Sequence, residues 1–417
     1  MVGQSMTIRT IIPITAALLI FAASAAAQEA SLRTLHSFAG YPNDGANPGA
    51  GVVVGNAGVL YGVTAEGGSG PCTIQIPGCG VVYSLTPPTN PGGRWTESLL
   101  HSFSGYPNDG AYPVGDVVVG SDGVLYGTTS LGGAYNVGTV FSVTPPTSSG
   151  DAWTETVLYS FPGGSDGVNP EVGLAISGSV LYGTTLTGGT GVCTGYYIPG
   201  CGVVFSLTPS TSRGGNWTEA VIYNFVGTGY APLAGHIAVG SHGVLYGMTS
   251  EGGPMAEGTV FSLKPPSSPG GAWTETVLQN LSSSDGGFQN GGVAIGSGGV
   301  LYGTTALGEE TVFSLTPPTS QGGVWTETIL YGVGGPGGVI IGSGGVLYGT
   351  TLDSVFSLAP PASPGGAWTY RVLYTFTGGS DGGYLQAGVA LGREGALYGT
   401  TEEGGDSGLG TVFQLRP

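Results

Sequence analysis

Short apolar runs of strand length, each closed by a turn signal, follow one another through most of the chain, and none carries a helical period. In the clearest unit, Asp116-Val117-Val118-Val119 is followed by the turn Ser121-Asp122-Gly123 and the strand Val124-Leu125-Tyr126-Gly127-Thr128-Thr129. A glycine-rich loop, 131–136, leads to Gly138-Thr139-Val140-Phe141-Ser142-Val143. Thr144-Pro145-Pro146-Thr147 cannot continue a ladder, so a linker precedes the fourth strand, Trp153 to Phe161. These four strands, here A to D, predict an antiparallel meander. Its Leu-Tyr-Gly core recurs at Tyr61, Tyr126, Tyr182, Tyr246, Tyr302, Tyr348 and Tyr398, 46 to 65 residues apart. That period is too long for one coil of a solenoid and fits one blade of a β-propeller. The expected fold is therefore all-β: a seven-bladed β-propeller of four-stranded antiparallel blades.

The ends of the pattern predict how the ring closes. The last unit stops after Gly410-Thr411-Val412-Phe413 with no strand D of its own. Ala30 to Phe38 supplies a D-like strand with no unit before it, so the N-terminal strand should complete the last blade and leave no open edge. Upstream, Arg9, the apolar run Ile11 to Ala23 and Ala25-Ala26-Ala27 have the layout of a signal peptide. Residues 1–27 are expected to be removed, leaving 28–417 as one propeller domain, secreted to the extracellular or periplasmic space with no membrane span and expected as a monomer.

Composition changes this picture little. Eighty-four glycines and 28 prolines sit among 40% hydrophobic residues, too apolar a mixture for disorder. Four cysteines form two local pairs, Cys72 with Cys79 and Cys193 with Cys201, each bracketing an Ile-Pro-Gly-Cys-Gly segment. In an exported chain these are expected disulfides, and their spacing does not suit zinc. The formal net charge of −17 excludes nucleic acid as a partner.

The tandem Leu-Tyr-Gly-Thr-Thr, Thr-Val-Phe-Ser-Leu-Thr-Pro-Pro and Trp-Thr-Glu-Thr-Val-Leu-Tyr segments resemble the GloVer tandem-repeat family of exported bacterial proteins. The resemblance implies an exported propeller and brings no established catalytic residues; the family's surface-sorting segment is not seen here. The blade layout is also kelch-like, although the kelch Gly-Gly doublet after strand B is missing.

Residues at the same place in every unit are expected to serve packing: the six tryptophans at the start of strand D and the Leu-Tyr-Gly tyrosines. Glu97, Glu155, Glu219, Glu275 and Glu327 fall on the outermost strand, where charge discourages edge pairing. His36, His101, His236 and His242 show no ligand spacing. The candidate ligand-binding residues lie in the D–A and B–C loops, expected on one face: Asp44, Asp109, Asp166, Asp285 and Asp381, with Tyr41, Tyr106, Tyr112, Tyr135, Tyr230 and Tyr384. None of the basic residues after residue 27 is expected on that face. Aromatics beside carboxylates suit carbohydrate or a basic protein partner; no cofactor is expected, with calcium the one ion such loops would suit. No catalytic residue is assigned. A noncatalytic binding or surface-interaction module is favoured over a polysaccharide hydrolase or lyase with carboxylates at the ring centre, and over a purely structural envelope protein.

Overall fold

The computed structural model describes residues 30–72, 77–90, 92–148, 150–194, 200–212, 215–228, 236–268, 270–282, 291–306, 310–320, 322–363 and 365–417. The expected leader lies outside these. Seven four-stranded antiparallel sheets form the blades of a ring, each in the order A-B-C-D. In blade 2 these strands are Val118–Val119, Leu125–Thr129, Thr139–Thr144 and Thr154–Ser160. Strand A is shorter than its apolar run predicts. Among the described residues the only helical segments are six 3-10 turns, and no helix is long and apolar enough to cross a membrane.

Ring closure follows the expected exchange. Ser31–Ser37 lies antiparallel to Thr411–Arg416, with Leu32 opposite Leu415 and Ser37 opposite Thr411. The C–D pair of blade 2 shifts register between Val140 and Phe141. The N-terminal strand shifts its own register between Thr34 and His36, the equivalent place. It is a true seventh strand D.

Each residue of the Leu-Tyr-Gly-Thr-Thr segment has one job. Leu125 is fully buried. Tyr61 meets Trp153 of the following blade edge to face at 6.0 Å, and five further Tyr–Trp pairs repeat the contact around the ring. Gly127 lies under the ring of Phe141, where a Cβ would come within 2.6 Å of that ring. Thr128 Oγ1 donates to Val172 O at 3.0 Å and Thr400 Oγ1 to Ala50 O at 2.7 Å, each tying its blade to the next. Thr129 Oγ1 lies 2.8 Å from Thr139 Oγ1 on strand C and donates to Leu131 O in the B–C loop.

The strand D glutamates require a correction. They do not stand on a solvent edge; they are half-buried against the preceding blade. Blade 1 sets His101 beside Glu155 of blade 2, and blade 2 sets Tyr159 beside Glu219 of blade 3. Further round, Gln279 Nε2 donates to Glu327 Oε2 at 2.5 Å, and Tyr331 stacks on Tyr370 at 4.5 Å. Oε1 of Glu97, Glu155 and Glu219 is buried and accepts no hydrogen bond among the described residues. Burial raises all three carboxyls to about 7, helped by the charge of Asp44, Asp109 and Asp166 respectively.

Three outcomes follow from this packing. Deleting residues 28–39 should bare the Thr411–Arg416 edge and remove Leu35 and Phe38, which are 8% and 0% exposed in the closed ring, uncovering the Tyr83 and Val412 side chains they pack against. Aggregation on size-exclusion chromatography is expected; a deletion as heat-stable as the parent would show that closure does not depend on this strand. Tyr83 replaces phenylalanine in blade 1, and its fully buried hydroxyl has no partner among the described residues. Tyr83→Phe should therefore stabilise the protein by ~1 kcal/mol in urea titrations; a loss would show that the hydroxyl is satisfied. For Glu219 the folded carboxyl, at about 7, holds its proton more tightly than the ordinary value of 4.5 allows in the unfolded chain. Its contribution is then complete below 4.5 and lost as pH rises towards 7. Glu219→Gln should flatten the fall in Tm across that window, and an unchanged slope would disprove the assignment.

Candidate functional site

The D–A and B–C loops do share one face, because they pair with each other. Gly45–Ala46 bonds to Glu66–Gly67 and Gly110–Ala111 to Leu131–Gly132. Single bridges join Val168 to Thr187 and Gly383 to Glu403. Disulfides Cys72–Cys79 and Cys193–Cys201 brace the B–C loops of blades 1 and 3, whereas in blade 6 Thr351 N donates to Ser354 O across a tight turn.

The aspartates of this face are held by their own loops. Asp44 Oδ2 accepts from Ala39 N at 2.8 Å and Oδ1 from Gly45 N at 2.6 Å. Asp109 accepts from Ser104 N at 2.7 Å and Gly110 N at 2.6 Å. Burial opposes ionisation of Asp109, but hydrogen bonds from His101, Ser104 and Gly110 outweigh it and hold the carboxyl below its ordinary value. Asp166 accepts from Tyr159 Oη, and Asp381 from Thr377 N and Tyr374 Oη. Asp285 and Tyr230 lie outside the described residues. Tyr41, Tyr106, Tyr135 and Tyr384 are exposed, while Tyr112 is buried. Tyr106 and Tyr112 meet in a shallow cleft of about 290 Å³ with Ser104, Asn136 and Cys72.

A larger cavity, about 520 Å³, sits at the hub and takes lining from all seven blades. None of the predicted site residues lines it. Its polar side chains are Asp116, Glu171, His236, Gln386 and Glu402. They sit on the residues that lead into strand A, except Glu402, which begins the last B–C loop. Elsewhere around the hub, backbone meets backbone: a Cβ on Gly291 would lie 2.2 Å from Gly338 N, and one on Gly337 would lie 2.2 Å from Gly388 N. Asp116 and His236 are the exceptions at the position just ahead of strand A, which is glycine in the other five blades. Asp116 Oδ1 accepts from Gly51 N at 2.5 Å. Its Oδ2 faces His236 Nε2 at 3.6 Å across Gly173, whose missing side chain makes the approach possible.

The other two carboxylates are less well matched. Burial raises Glu171 above its ordinary value. Burial also raises Glu402, with Glu403 and Glu66 adding to the effect and a hydrogen bond from Gln386 opposing it. Glu402 Oε2 is buried with no hydrogen-bond partner among the described residues. Among the described residues no Lys or Arg lines the cavity. The spacing of the histidines along the chain does not show this cluster, which is assembled from separate blades. The signal that would have found it is departure from the repeat: Asp116 and His236 for glycine, Glu402 where the other B–C loops carry Ala, Ser or Leu.

No curated protein matches the chain. Among solved structures, it is similar to a protein from Bacteroides uniformis provisionally assigned as a 6-phosphogluconolactonase. That match has 15% identity and a TM-score of 0.52, covering 79% of this chain and 87% of that one. A gluconolactonase of Xanthomonas campestris matches at 11% identity and TM-score 0.41, covering 93% and 89%. A Trichoderma reesei enzyme of carbohydrate-active family AA12 matches at 12% and 0.40, covering 94% and 96%. At these identities the first likeness is one of fold. The Gloeobacter/Verrucomicrobia repeat model matches residues 19–197 and 73–311. The chain belongs to that repeat family, and its repeats fold as the blades of a seven-bladed β-propeller.

Proposed function

We propose that the protein is an exported, noncatalytic binding module, and that its ligand places a positively charged group in the hub cavity. The observation that carries this reading is the concentration of unit-specific side chains there, with Asp116, Glu171 and Glu402 against the single cationic candidate His236. His236 is already engaged by Asp116. An ammonium or guanidinium group would supply the counter-charge that Glu171 and Glu402 lack, in a site shielded enough for the pairing to outweigh screening. The exposed tyrosines of the surrounding face offer stacking surfaces for the remainder of an amine-bearing sugar. The two disulfides fit an oxidising compartment.

One observation favours a second reading. Three carboxylates from outside the repeat meet at the ring centre, and burial raises Glu171 and Glu402 above their ordinary values. A carboxyl that holds its proton beside another carboxylate is the arrangement that glycoside chemistry uses.

Calorimetric titration of the mature protein with glucosamine oligomers and with their N-acetylated counterparts separates the two. Under the binding reading the amines bind, the acetylated sugars bind far less, and Glu171→Gln with Glu402→Gln weakens the amines by about tenfold or more, ~1.4 kcal/mol. Equal affinity for charged and neutral sugars, or no loss in the double variant, would place the ligand elsewhere. Release of reducing ends from polysaccharide, abolished by Glu171→Gln, would establish the enzyme instead.

A further inference from the structure

Two seams between blades carry a cluster that repeat packing does not call for. Where blade 7 meets blade 1, His36, Asp44 and Glu97 come together; where blade 1 meets blade 2, His101, Asp109 and Glu155 do the same. Each cluster takes one residue from a strand D, one from the following D–A loop and one from strand D of the next blade. Within each, the three ligand-type atoms all lie within 4.8 Å of one another. His36 Nε2 is 3.1 Å from Asp44 Oδ2, and His101 Nε2 is 3.1 Å from Asp109 Oδ2. The aspartates are 8% and 7% exposed, and the loop amides that bond to them fix their orientation.

The third member is the informative one. Glu97 and Glu155 each turn a buried Oε1 into the seam, and no hydrogen bond reaches it among the described residues. Such an oxygen is free to serve as a ligand. Other seams carry neutral donors at the histidine position: Tyr159 Oη donates to Asp166 at 2.8 Å, with Glu219 Oε1 beside it also left without a partner among the described residues, and Gln279 Nε2 donates to Glu327. Only at the two histidine seams is the donor exchanged for an imidazole, a side chain that can ligate.

We propose that each His–Asp–Glu cluster is a binding site for a divalent transition metal such as Zn²⁺. One imidazole nitrogen and two carboxylate oxygens form a three-ligand set with room for a water, and the two negative charges neutralise the ion. An imidazole nitrogen selects against calcium, which takes oxygen ligands. The 3.1 Å separation of His Nε2 and Asp Oδ2 is close to the ~3.3 Å expected between ligands on a tetrahedral ion with bonds of ~2.0–2.1 Å. The glutamate then closes the remaining distance. At the first seam the ion would join the N-terminal strand that closes the ring to strand D of blade 1, so metal binding should also stabilise closure.

The test is zinc binding by the metal-stripped mature protein, measured by equilibrium dialysis and by thermal unfolding. His36→Tyr and His101→Tyr install the residue that blade 2 carries at the same position, so both variants should fold. His36→Gln and His101→Gln, after Gln279, serve as a second pair. Expected is a loss of one bound zinc in each single variant and two in the double variant, with a zinc-dependent rise in Tm in the wild type that the double variant lacks. Zinc held at the hub by His236 would remain in every variant and leave that difference of two intact. Equal zinc uptake by wild type and both double variants, or no uptake by any of them, overturns the proposal.

Discussion

The contact on which this ring depends is an aromatic ring of strand C seated on a glycine of strand B. It occurs in every blade: a Cβ on Gly62, Gly127, Gly183, Gly247, Gly303, Gly349 or Gly399 would fall 2.5 to 2.6 Å from the facing aromatic side chain. Glycine weakens a strand in isolation, but here the ring covers the bare backbone and fills the gap between blades. The same rings reach backwards. Phe141 meets Phe103 of the preceding blade at 5.0 Å, Phe205 meets Phe161 at 5.1 Å, and Phe413 meets Phe376 at 4.9 Å. One side chain thus joins strand to strand and blade to blade. Neither contact forms well without the other, and a meander that exposes two apolar faces alone becomes part of a closed ring.

That dependence explains what could be read in advance. The period and the four strands are written in every unit, the disulfide pairs recur in two of them, and the N-terminal exchange shows as one strand D too many at one end and one too few at the other. Tyr61 and Trp153 could be assigned to packing for the same reason, and they meet as assigned. The glutamates could not. Glu155 sits on the outermost strand, and a single blade drawn alone leaves that strand in solvent. The stagger between neighbours covers it with His101 of the preceding blade, a relation between units that no one unit contains. The hub was hidden in the opposite way. Asp116, Glu171, His236 and Glu402 each occur once, in different repeats, and only closure of the ring brings them to one cavity.

Repetition and departure therefore divide the work of the chain. A side chain found in every blade meets its copies at a distance set by the ring and can do little beyond packing. A side chain found in one blade breaks the sevenfold symmetry, and among converging backbones where glycine is the rule it fits only where a neighbouring glycine leaves it room. Position 116 is such a place: aspartate there crosses Gly173 to reach His236 while keeping a bond to Gly51 N. The loop aspartates are intermediate. Asp44, Asp109, Asp166 and Asp381 recur, and each is tied to its own loop or to the end of the strand before it.

Charge placement extends the argument to the whole molecule. Arg33 reaches the carbonyls of Gly92 and Gly93 in a C–D linker, and Arg416 lies 3.9 Å from Glu394 in an A–B turn. Both bring positive charge to the side opposite the D–A and B–C loops. On the loop face Asp44 and Asp109 take His36 and His101 as partners, each at 3.1 Å, rather than Lys or Arg. At Glu402 burial, joined by the neighbouring Glu403 and Glu66, raises the affinity for a proton, and neighbouring carboxylates do the same for any other cation that fits. The repeat thus builds an acidic loop face, and on the reading proposed above departures from the repeat decide where a positive group would be held.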